Sequence, residues 1–289
     1  MRHALVFGAS GQVGRALLAR LQGADWRITA LSRDDRGDEP GLHWARGEFA
    51  RLPPLPRVVD AVFSCGPLDL FSHWYAGASV ETGRIVVFGS TSAEVKVDSP
   101  DAHERDLAGR LRRAEARVLD AAQARGAGAT LLRPTLVYGA GRDLTLSRIA
   151  ALARRWGRFV LPRRADGLRQ PVHVHDLAAA AFQAGAAPAA AGGTYALPGG
   201  ETLPYREMVA RVLATLRPPP PLIEVPGPVF AAMLKAAQSR GIARGLGDAA
   251  VARMRSDLVF DAGPAQRDFG YAPRGFRPAP GTFEPHGQA

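Results

Sequence analysis

The first residues of the chain constrain its fold most strongly, because an apolar strand leads through a GxxGxxG turn into a helix. Leu5-Val6-Phe7 predicts a buried strand, and residues 15–21 carry apolar side chains at helical spacing. We expect Gly8 to permit the tight turn, Gly11 to let the backbone approach a pyrophosphate, and Gly14 to let the helix pack closely. Free N–H groups at the helix start would face the phosphates. The pattern predicts dinucleotide binding, with an ordinary glycine-rich turn as the alternative.

Length and composition exclude several classes of protein. The 289 residues suffice for one large domain or two small ones. The absence of a long apolar run, the strand-like N-terminus and the single cysteine predict a cytoplasmic protein without a membrane partner or an internal disulfide. The net charge of +10 comes mostly from arginines interleaved with acidic residues. We therefore expect no nucleic-acid partner, and the charge favours either a solvated surface or anionic ligands.

Alternating strand and helix patterns in the first half predict an α/β fold, a Rossmann-type doubly wound parallel sheet. Strands are predicted at residues 4–7, 27–31, 61–64, 84–88 and 129–132, and helices at 12–21 and 106–125. We expect an NAD(P)-binding domain over 1–140, completed by part of 170–197. The remainder, mostly 141–289, is predicted to form a small discontinuous lobe with the substrate cleft between the two. Its predicted elements are helices at 142–156, 176–184, 204–216 and 227–240, a strand at 171–174, an arginine-rich loop ending at 169 and a rigid proline connector at 218–221.

Four segments resemble the extended short-chain dehydrogenase/reductase superfamily, the group that contains nucleotide-sugar epimerases and dehydratases. They are residues 8–14 (the GxxGxxG turn), 132–139 (LRPTLVYG, similar to LRPxxVYG), 169–178 (RQPVHVHDLA, similar to RxxVHVDDLA), and 258–261 with 269–271 (the stretch ending in LGY). The matches occur in the family's order over nearly the whole chain. The resemblance implies an NAD(P) cofactor and an oxidoreductase or epimerase acting on a small carbonyl or sugar-nucleotide-like compound.

The residue that follows the second strand distinguishes NAD from NADP in such folds. Arg33 stands 19 positions after Gly14, and its planar fork suits the 2′-phosphate of NADP, whereas an acidic residue would bind the ribose of NAD. We favour NADP, with NAD as the alternative. The resemblance also implies that Glu48 meets the adenine and that Cys65 and Gly66 pass the ribose. The predicted cofactor-binding residues are Gly8, Ser10, Gly11, Gln12, Val13, Gly14, Arg33, Glu48, Cys65, Gly66 and Pro134.

The catalytic positions depart from the family, which uses a Ser or Thr hydroxyl and a Tyr-x-x-x-Lys pair on the following helix. Thr91 and Ser92 are the candidates for the hydroxyl. Aligning Glu115 with a family glutamate places Leu107 and Leu111 where the tyrosine and lysine would stand. No tyrosine lies between residues 76 and 137, so the usual acid/base pair is missing.

Other side chains offer partial replacements. Tyr75, expected on a loop near the nicotinamide, is the preferred substitute acid/base, although an aromatic core contact is the plainer interpretation. His103 is expected to be a solvated residue near a helix start. His173 and His175 lack a third ligand, so no metal site is predicted. Arg169 is the preferred substrate-binding residue, while arginines 154–164 either recognise a phosphorylated or carboxylated ligand or form a solvated surface.

Three functions remain open from the sequence, of which a nucleic-acid-binding protein, suggested by the net charge alone, ranks far below the other two. The first, which we favour, is an atypical NADP-dependent oxidoreductase or epimerase that has replaced its Tyr/Lys pair and binds a small-molecule substrate, anionic if the arginines recognise it. The second is an NADP-binding sensor or scaffold without turnover. The oligomeric state is left as a monomer or a homodimer.

Overall fold

A computed structural model describes residues 1–143, 145–239 and 248–284 of the chain. The chain forms two compact units. The first comprises Met1–Thr135, Val174–Leu197 and Asp261–Pro273, and the second comprises the described parts of Leu136–His173, Pro198–Phe260 and Arg274–Ala289. Residues 261–273, which the sequence placed in the smaller lobe, therefore belong to the first unit.

The secondary structure follows the chain in this order. The strands are β1 His3–Phe7, β2 Arg27–Ser32, β3 Leu42–Arg46, β4 Ala61–Ser64, β5 Arg84–Phe88, β6 Gly128–Pro134, β7 Val137–Tyr138, β8 Phe159–Pro162, β9 Leu168–Arg169, β10 Val172–His173, β11 Thr194–Leu197, β12 Leu203–Pro204 and β13 Leu222–Val225. The helices are α1 Gln12–Gln22, α2 Leu68–Gly77, α3 Ser92–Val95, α4 Ala102–Ala124, α5 Leu146–Trp156, α6 Val174–Ala186, α7 Tyr205–Ala214, α8 Gly227–Ser239, α9 Asp248–Arg253 and α10 Gly263–Phe269. Residue 240, the last of the helix predicted at 227–240, lies outside the described residues.

Within the described residues, the first unit is built on a seven-stranded parallel sheet of order β11-β6-β5-β4-β1-β2-β3. β1 lies between β2 and β4, so the strand order reverses at this point, where ligands bind in doubly wound sheets. Alternate residues of each strand face opposite sides. Leu5, Phe7 and Val62 join the core under α2 and α4, whereas α6 contacts Phe63 and Val86 on the other side. The predicted Rossmann-type α/β fold is confirmed.

Five described elements of the first unit, β3, α2, α3, β11 and α10, were not predicted, and for β3 and α2 the reason can be identified. β3 has the sequence LHWAR, whose polar residues hide the apolar pattern of a strand, and this edge strand buries only Leu42 and Ala45. α2 was predicted as a loop because its sequence LDLFSHWYAG is rich in aromatic residues with modest helix propensity. Phe71 and Tyr75 lie four residues apart and both enter the core, so packing decides the conformation.

The second unit has its own apolar core, formed mainly by α5 and α7. Ile149, Met208 and Val212 pack there with Phe276 and Phe283. Three short strand pairs frame this core: β7 with β10, β9 with β12, and β8 with β13. β8 and β13 were not predicted, because one lies in the expected arginine-rich loop and the other follows the proline run. Among the helices that the structure describes, none is both long and apolar enough to cross a membrane.

Candidate cofactor site

The glycine turn after β1 lies directly against the segment that follows β4. Gly8 has a φ of +67°, and its carbonyl accepts a hydrogen bond from the N–H of Gly11 at 3.0 Å. A Cβ atom on Gly8 would lie 2.5 Å from the Gly66 nitrogen and 2.6 Å from the carbonyl carbon of Cys65. Both the backbone conformation and the available space therefore require glycine at position 8. The turn therefore lies at the carboxyl end of β1 and packs against the segment that follows β4.

The start of α1 is built to receive a polar ligand. A Cβ on Gly14 would lie 2.7 Å from the Ala9 Cα, so the helix packs tightly on the turn. No side chain caps the helix at Gly11. Gln12 Oε1 is buried and has no hydrogen-bond partner among the described residues. Phosphate oxygens of a ligand could accept hydrogen bonds from the uncapped N–H groups, and a sugar hydroxyl could donate to the amide oxygen of Gln12. These residues therefore fit a dinucleotide.

Three arginines surround a cavity of about 620 Å³ at the end of β2 and β3, which we call the arginine cavity. Its basic residues are Arg33, directly after β2, Arg46, at the end of β3, and Arg51, in the next loop. None of these three guanidinium groups forms a hydrogen bond or an ion pair in the part of the chain that the structure describes. Glu48 also lines the cavity. The cavity therefore carries an excess of unneutralised positive charge suited to a phosphate.

The arginine cavity includes residues that the sequence did not reveal. Arg33 was singled out, but Arg46 and Arg51 were not, because β3 was not predicted. The parallel register places Arg46 opposite Ser32, the residue that precedes Arg33. The nearby Arg36 differs from the three cavity arginines, since it donates to Ser32 Oγ at 3.2 Å and pairs with an aspartate. Arg46 could have been identified if the sequence analysis had predicted β3 and its pairing with β2.

The remaining predicted cofactor residues lie around the same edge of the sheet. Ser10 and Val13 are half-buried in the turn and the first turn of α1. Cys65 follows β4, and burial raises the pKa of its thiol to about 12, as expected for a packed thiol rather than a nucleophile. Pro134 ends β6 and is buried. Its carbonyl accepts a hydrogen bond from the Thr91 hydroxyl at 3.2 Å.

The two candidate hydroxyl groups differ in availability. Thr91 is buried, and its hydroxyl is already committed to the Pro134 carbonyl. Ser92 opens the short helix α3, is half-buried, and donates its backbone N–H to Ser90 Oγ at 3.1 Å. Ser92 is therefore the better placed of the two to offer a hydroxyl to a ligand.

Tyr75 does not occupy the loop that the sequence predicted. It lies on α2, is 0% exposed, and stacks on Phe71 with ring centroids 5.9 Å apart. The Arg125 guanidinium lies over its ring at 4.7 Å. Burial raises the pKa of the Tyr75 phenol above its ordinary value. A core tyrosine that is closed to solvent is unsuited to exchange protons with a ligand, so the structure favours the core interpretation.

Arg169 holds the second unit together rather than facing a ligand. It is 5% exposed, and its Nη1 donates to the carbonyls of Leu168 at 2.7 Å and Ser256 at 2.9 Å. Its Nη2 donates to the Arg253 carbonyl, and the guanidinium lies over the Tyr205 ring at 5.3 Å. The substrate-binding role is corrected accordingly, because these backbone acceptors consume the donors that a substrate would need.

The helix α4 presents an apolar stripe at the positions that the sequence resemblance aligned with a Tyr-x-x-x-Lys pair. Leu107 and Leu111 are half-buried, and the stripe continues into the core. One turn further on, Glu115 is buried and forms a bidentate pair with Arg133, with Nε–Oε1 and Nη2–Oε2 distances of 2.9 and 2.5 Å. His103 lies in the first turn of α4 and is exposed. This helix holds the fold together but offers no phenol or ammonium at the expected register.

The two remaining histidines were considered as metal ligands in the sequence. His173 packs edge-on against Tyr138 with ring centroids 5.0 Å apart. His175 lies in the first turn of α6. Over residues 1–143, 145–239 and 248–284, no group of three or more His, Cys, Asp or Glu side chains is arranged to hold a metal ion.

Comparison with known proteins identifies the fold. No protein-family model matches the sequence, and no curated protein matches it. The terminal R domain of the myxalamid PKS-NRPS pathway superimposes with a TM-score of 0.72 at 21% identity, over 94% of this chain and 85% of that one. The chain has the fold of this domain and of the two enzymes that follow. MoeE5, solved with UDP-glucuronic acid and NAD, gives 0.70 at 20% identity over 97% of both chains. UDP-glucuronic acid 4-epimerase from Bacillus cereus, solved with NAD, gives 0.69 at 11% identity, over 94% and 91%.

Proposed function

We propose that this chain binds NADP and acts as an atypical oxidoreductase or epimerase on a small carbonyl or sugar-nucleotide-like compound. The observation that carries the cofactor assignment is the arginine cavity. Arg33 and the glycine turn follow the neighbouring strands β2 and β1, so both lie at the carboxyl edge of the sheet. Two structures with the same fold, MoeE5 and the Bacillus cereus epimerase, contain NAD. The three unpaired guanidinium groups favour the phosphorylated form of this cofactor.

The proposed roles of the residues follow from their positions. The turn from Gly8 to Gly14 and the uncapped start of α1 would hold the pyrophosphate. Arg33, Arg46 and Arg51 would hold the 2′-phosphate. When bound, the nicotinamide supplies or accepts a hydride. The Ser92 hydroxyl would donate a hydrogen bond to the carbonyl oxygen of the reacting compound.

Titration of NADPH and NADH fluorescence tests the cofactor assignment. We expect each of Arg33→Ala, Arg46→Ala and Arg51→Ala to weaken NADPH about tenfold or more, because each removes a charge-assisted contact to the phosphate. NADH affinity should change little. Arg57→Ala is the matched control, since Arg57 is exposed and lies outside the cavity. Equal losses for the two nucleotides would remove the phosphate assignment, and failure of both to bind at micromolar concentration would remove the function.

A second function, cofactor binding without turnover, is favoured by the apolar stripe of α4 at Leu107 and Leu111. A panel of sugar nucleotides, aldehydes and ketones assayed with NADPH separates the two functions. If the chain is an enzyme, Ser92→Ala should lower kcat, whereas Tyr75→Phe should leave kcat unchanged because the phenol is in the core. Tight NADPH binding with no turnover on any member of the panel would favour a sensor or scaffold.

A further inference from the structure

Helix α8 in the second unit exposes apolar side chains to solvent. Val229 and Met233 are 48% and 46% exposed, and Ala232, which lies beside them on the helix surface, is also exposed. Phe230 and Leu234 are buried on another side of the helix, which packs against β8. Apolar residues therefore occupy both the buried and the exposed sides of α8. This pattern is typical of a helix that contacts a further apolar surface.

Three arginines lie near the first turn of α8. Arg255 Nη2 would lie 3.3 Å from a Cβ atom on Gly227, the first residue of the helix. The backbone N–H of Arg163 donates to the Val225 carbonyl at 2.8 Å, two residues before α8 begins, and Arg164 follows directly. All three arginines are exposed, and none of their guanidinium groups forms an ion pair or a hydrogen bond within the described residues. Their charges are therefore available to an anionic partner.

The surroundings of α8 are basic in the sequence as well. Residues 227–256, which begin with this helix, contain five Lys or Arg residues and one acidic residue. Lys235 is exposed on α8 itself. Among the carboxylates of the adjoining segments, Glu224 pairs with Arg206 at 2.7 Å, and Asp257 accepts a backbone N–H at 2.8 Å. Cations therefore flank the exposed apolar side chains, and the nearby carboxylates form their contacts with other groups.

We propose that this region docks on an anionic lipid membrane. The α8 surface, as we call it, comprises the exposed apolar side of α8, Lys235 and the three arginines beside the first turn. Apolar side chains flanked by cations suit the headgroup region, where guanidinium groups contact lipid phosphates and apolar groups enter the acyl boundary. A second copy of the chain fits less well, because two α8 surfaces carry the same charge and repel each other. The sequence expectation of no membrane partner rests on the lack of a long apolar run, which docking at the surface does not require.

Co-sedimentation with lipid vesicles tests this proposal, and the outcome does not depend on NADP binding. We expect the chain to bind vesicles of equal parts phosphatidylcholine and phosphatidylserine, and to bind them less as the salt concentration rises. Binding to phosphatidylcholine alone should be about tenfold weaker or more. Absence of binding to the anionic vesicles would overturn the proposal, and so would equal binding to both kinds of vesicle.

Paired substitutions of arginine test the contribution of charge. Arg163→Gln/Arg164→Gln should weaken binding to the anionic vesicles about tenfold or more, because each basic residue near an anionic surface contributes about a fivefold factor. Arg20→Gln/Arg57→Gln is the matched control, since it removes two exposed arginines from the first unit and changes the net charge equally. It should leave the affinity within about twofold of the parent. Equal weakening by the two pairs would overturn the proposal, because binding would then reflect net charge alone.

Paired substitutions of apolar residues test whether α8 enters the lipid. Val229→Ser/Met233→Ser should weaken binding about tenfold, because two apolar side chains no longer leave water. The control is Val58→Ser/Leu70→Ser, which changes two exposed apolar residues of the first unit and should leave binding unchanged. Parent-like binding by the α8 variant would overturn the proposal. Binding of a polyglutamate peptide without binding of vesicles would also overturn it, and would assign the α8 surface to an acidic protein. Circular dichroism of each variant establishes that the chains being compared are folded.

Discussion

The Glu115–Arg133 pair predicts that the two partners respond unequally to substitution. The Glu115 side chain is 4% exposed and the Arg133 side chain 17% exposed. Arg133 also pairs with Glu94, whose side chain is 50% exposed. Within the described ranges, Glu115 receives side-chain hydrogen bonds from Arg133 alone. Arg133 therefore has two anionic partners, whereas Glu115 depends on one cation.

These contacts set the expected changes in the free energy of unfolding. Arg133→Met leaves a buried carboxylate without a partner and should cost about 3–5 kcal/mol. Glu115→Gln keeps a neutral acceptor of the same shape, and Arg133 keeps Glu94, so the cost should be about 1–2 kcal/mol. Glu94→Ala should cost at most about 1 kcal/mol, because that pair is half exposed. The double variant Glu115→Gln/Arg133→Met should be more stable than Arg133→Met alone, since it buries no unpaired charge.

Urea denaturation followed by tryptophan fluorescence measures these differences. Trp26, Trp44 and Trp74, three of the four tryptophans, lie in the first unit together with the ion pair. The midpoint should fall most for Arg133→Met, and the slope of the transition should stay constant if only stability changes. If Glu115→Gln were as destabilising as Arg133→Met, or if the double variant were the least stable, the assumed burial of an unpaired carboxylate would be wrong.

Three further predictions concern single residues. In urea denaturation, Gly8→Ala should lower the free energy of unfolding by about 2–5 kcal/mol, because Gly8 has a positive φ and its added Cβ would collide with Gly66. The same substitution should abolish NADPH binding. The control is Gly83→Ala, which should stay within about 0.5 kcal/mol of the parent because the space around Gly83 is open. Arg169→Met should destabilise the second unit by about 3 kcal/mol, measured by thermal denaturation; unchanged stability with a raised KM would instead support substrate binding. The rate of Cys65 alkylation should keep rising with pH towards about 12, because burial raises its pKa, and a plateau near pH 9 would contradict this. The same shift means that folded-state stability falls as pH rises above the ordinary thiol pKa, since the unfolded chain then releases this proton first.

The parts of the structure that were predicted from sequence depend on local patterns. The glycine turn and the strands beside it could be predicted, because a short apolar run followed by glycines at fixed spacing specifies both the turn and the helix start. Arg46 and Arg51 could not be assigned to the cofactor edge, because their position depends on the pairing of β3 with β2, a contact between distant residues. The roles predicted for Tyr75 and Arg169 were not supported, for a related reason. Their sequence context indicates chemistry, but only the tertiary packing reveals that both are buried and committed to structural contacts.

In the first unit, the features that could bind a cofactor or stabilise the fold are not groups that could transfer a proton. The turn at Gly8, the arginine cavity and the Glu115–Arg133 pair form a preorganised edge of the sheet, and none of them supplies a proton. In the register that the sequence resemblance implies, Leu107 stands at the position of the phenol, and its half-buried side chain cannot ionise. The Ser92 hydroxyl can polarise a carbonyl, but its ordinary pKa is far too high for it to replace a tyrosinate. Turnover would therefore need a proton donor other than these residues. Hence we expect this edge to bind the cofactor strongly whether or not the chain is a fast catalyst.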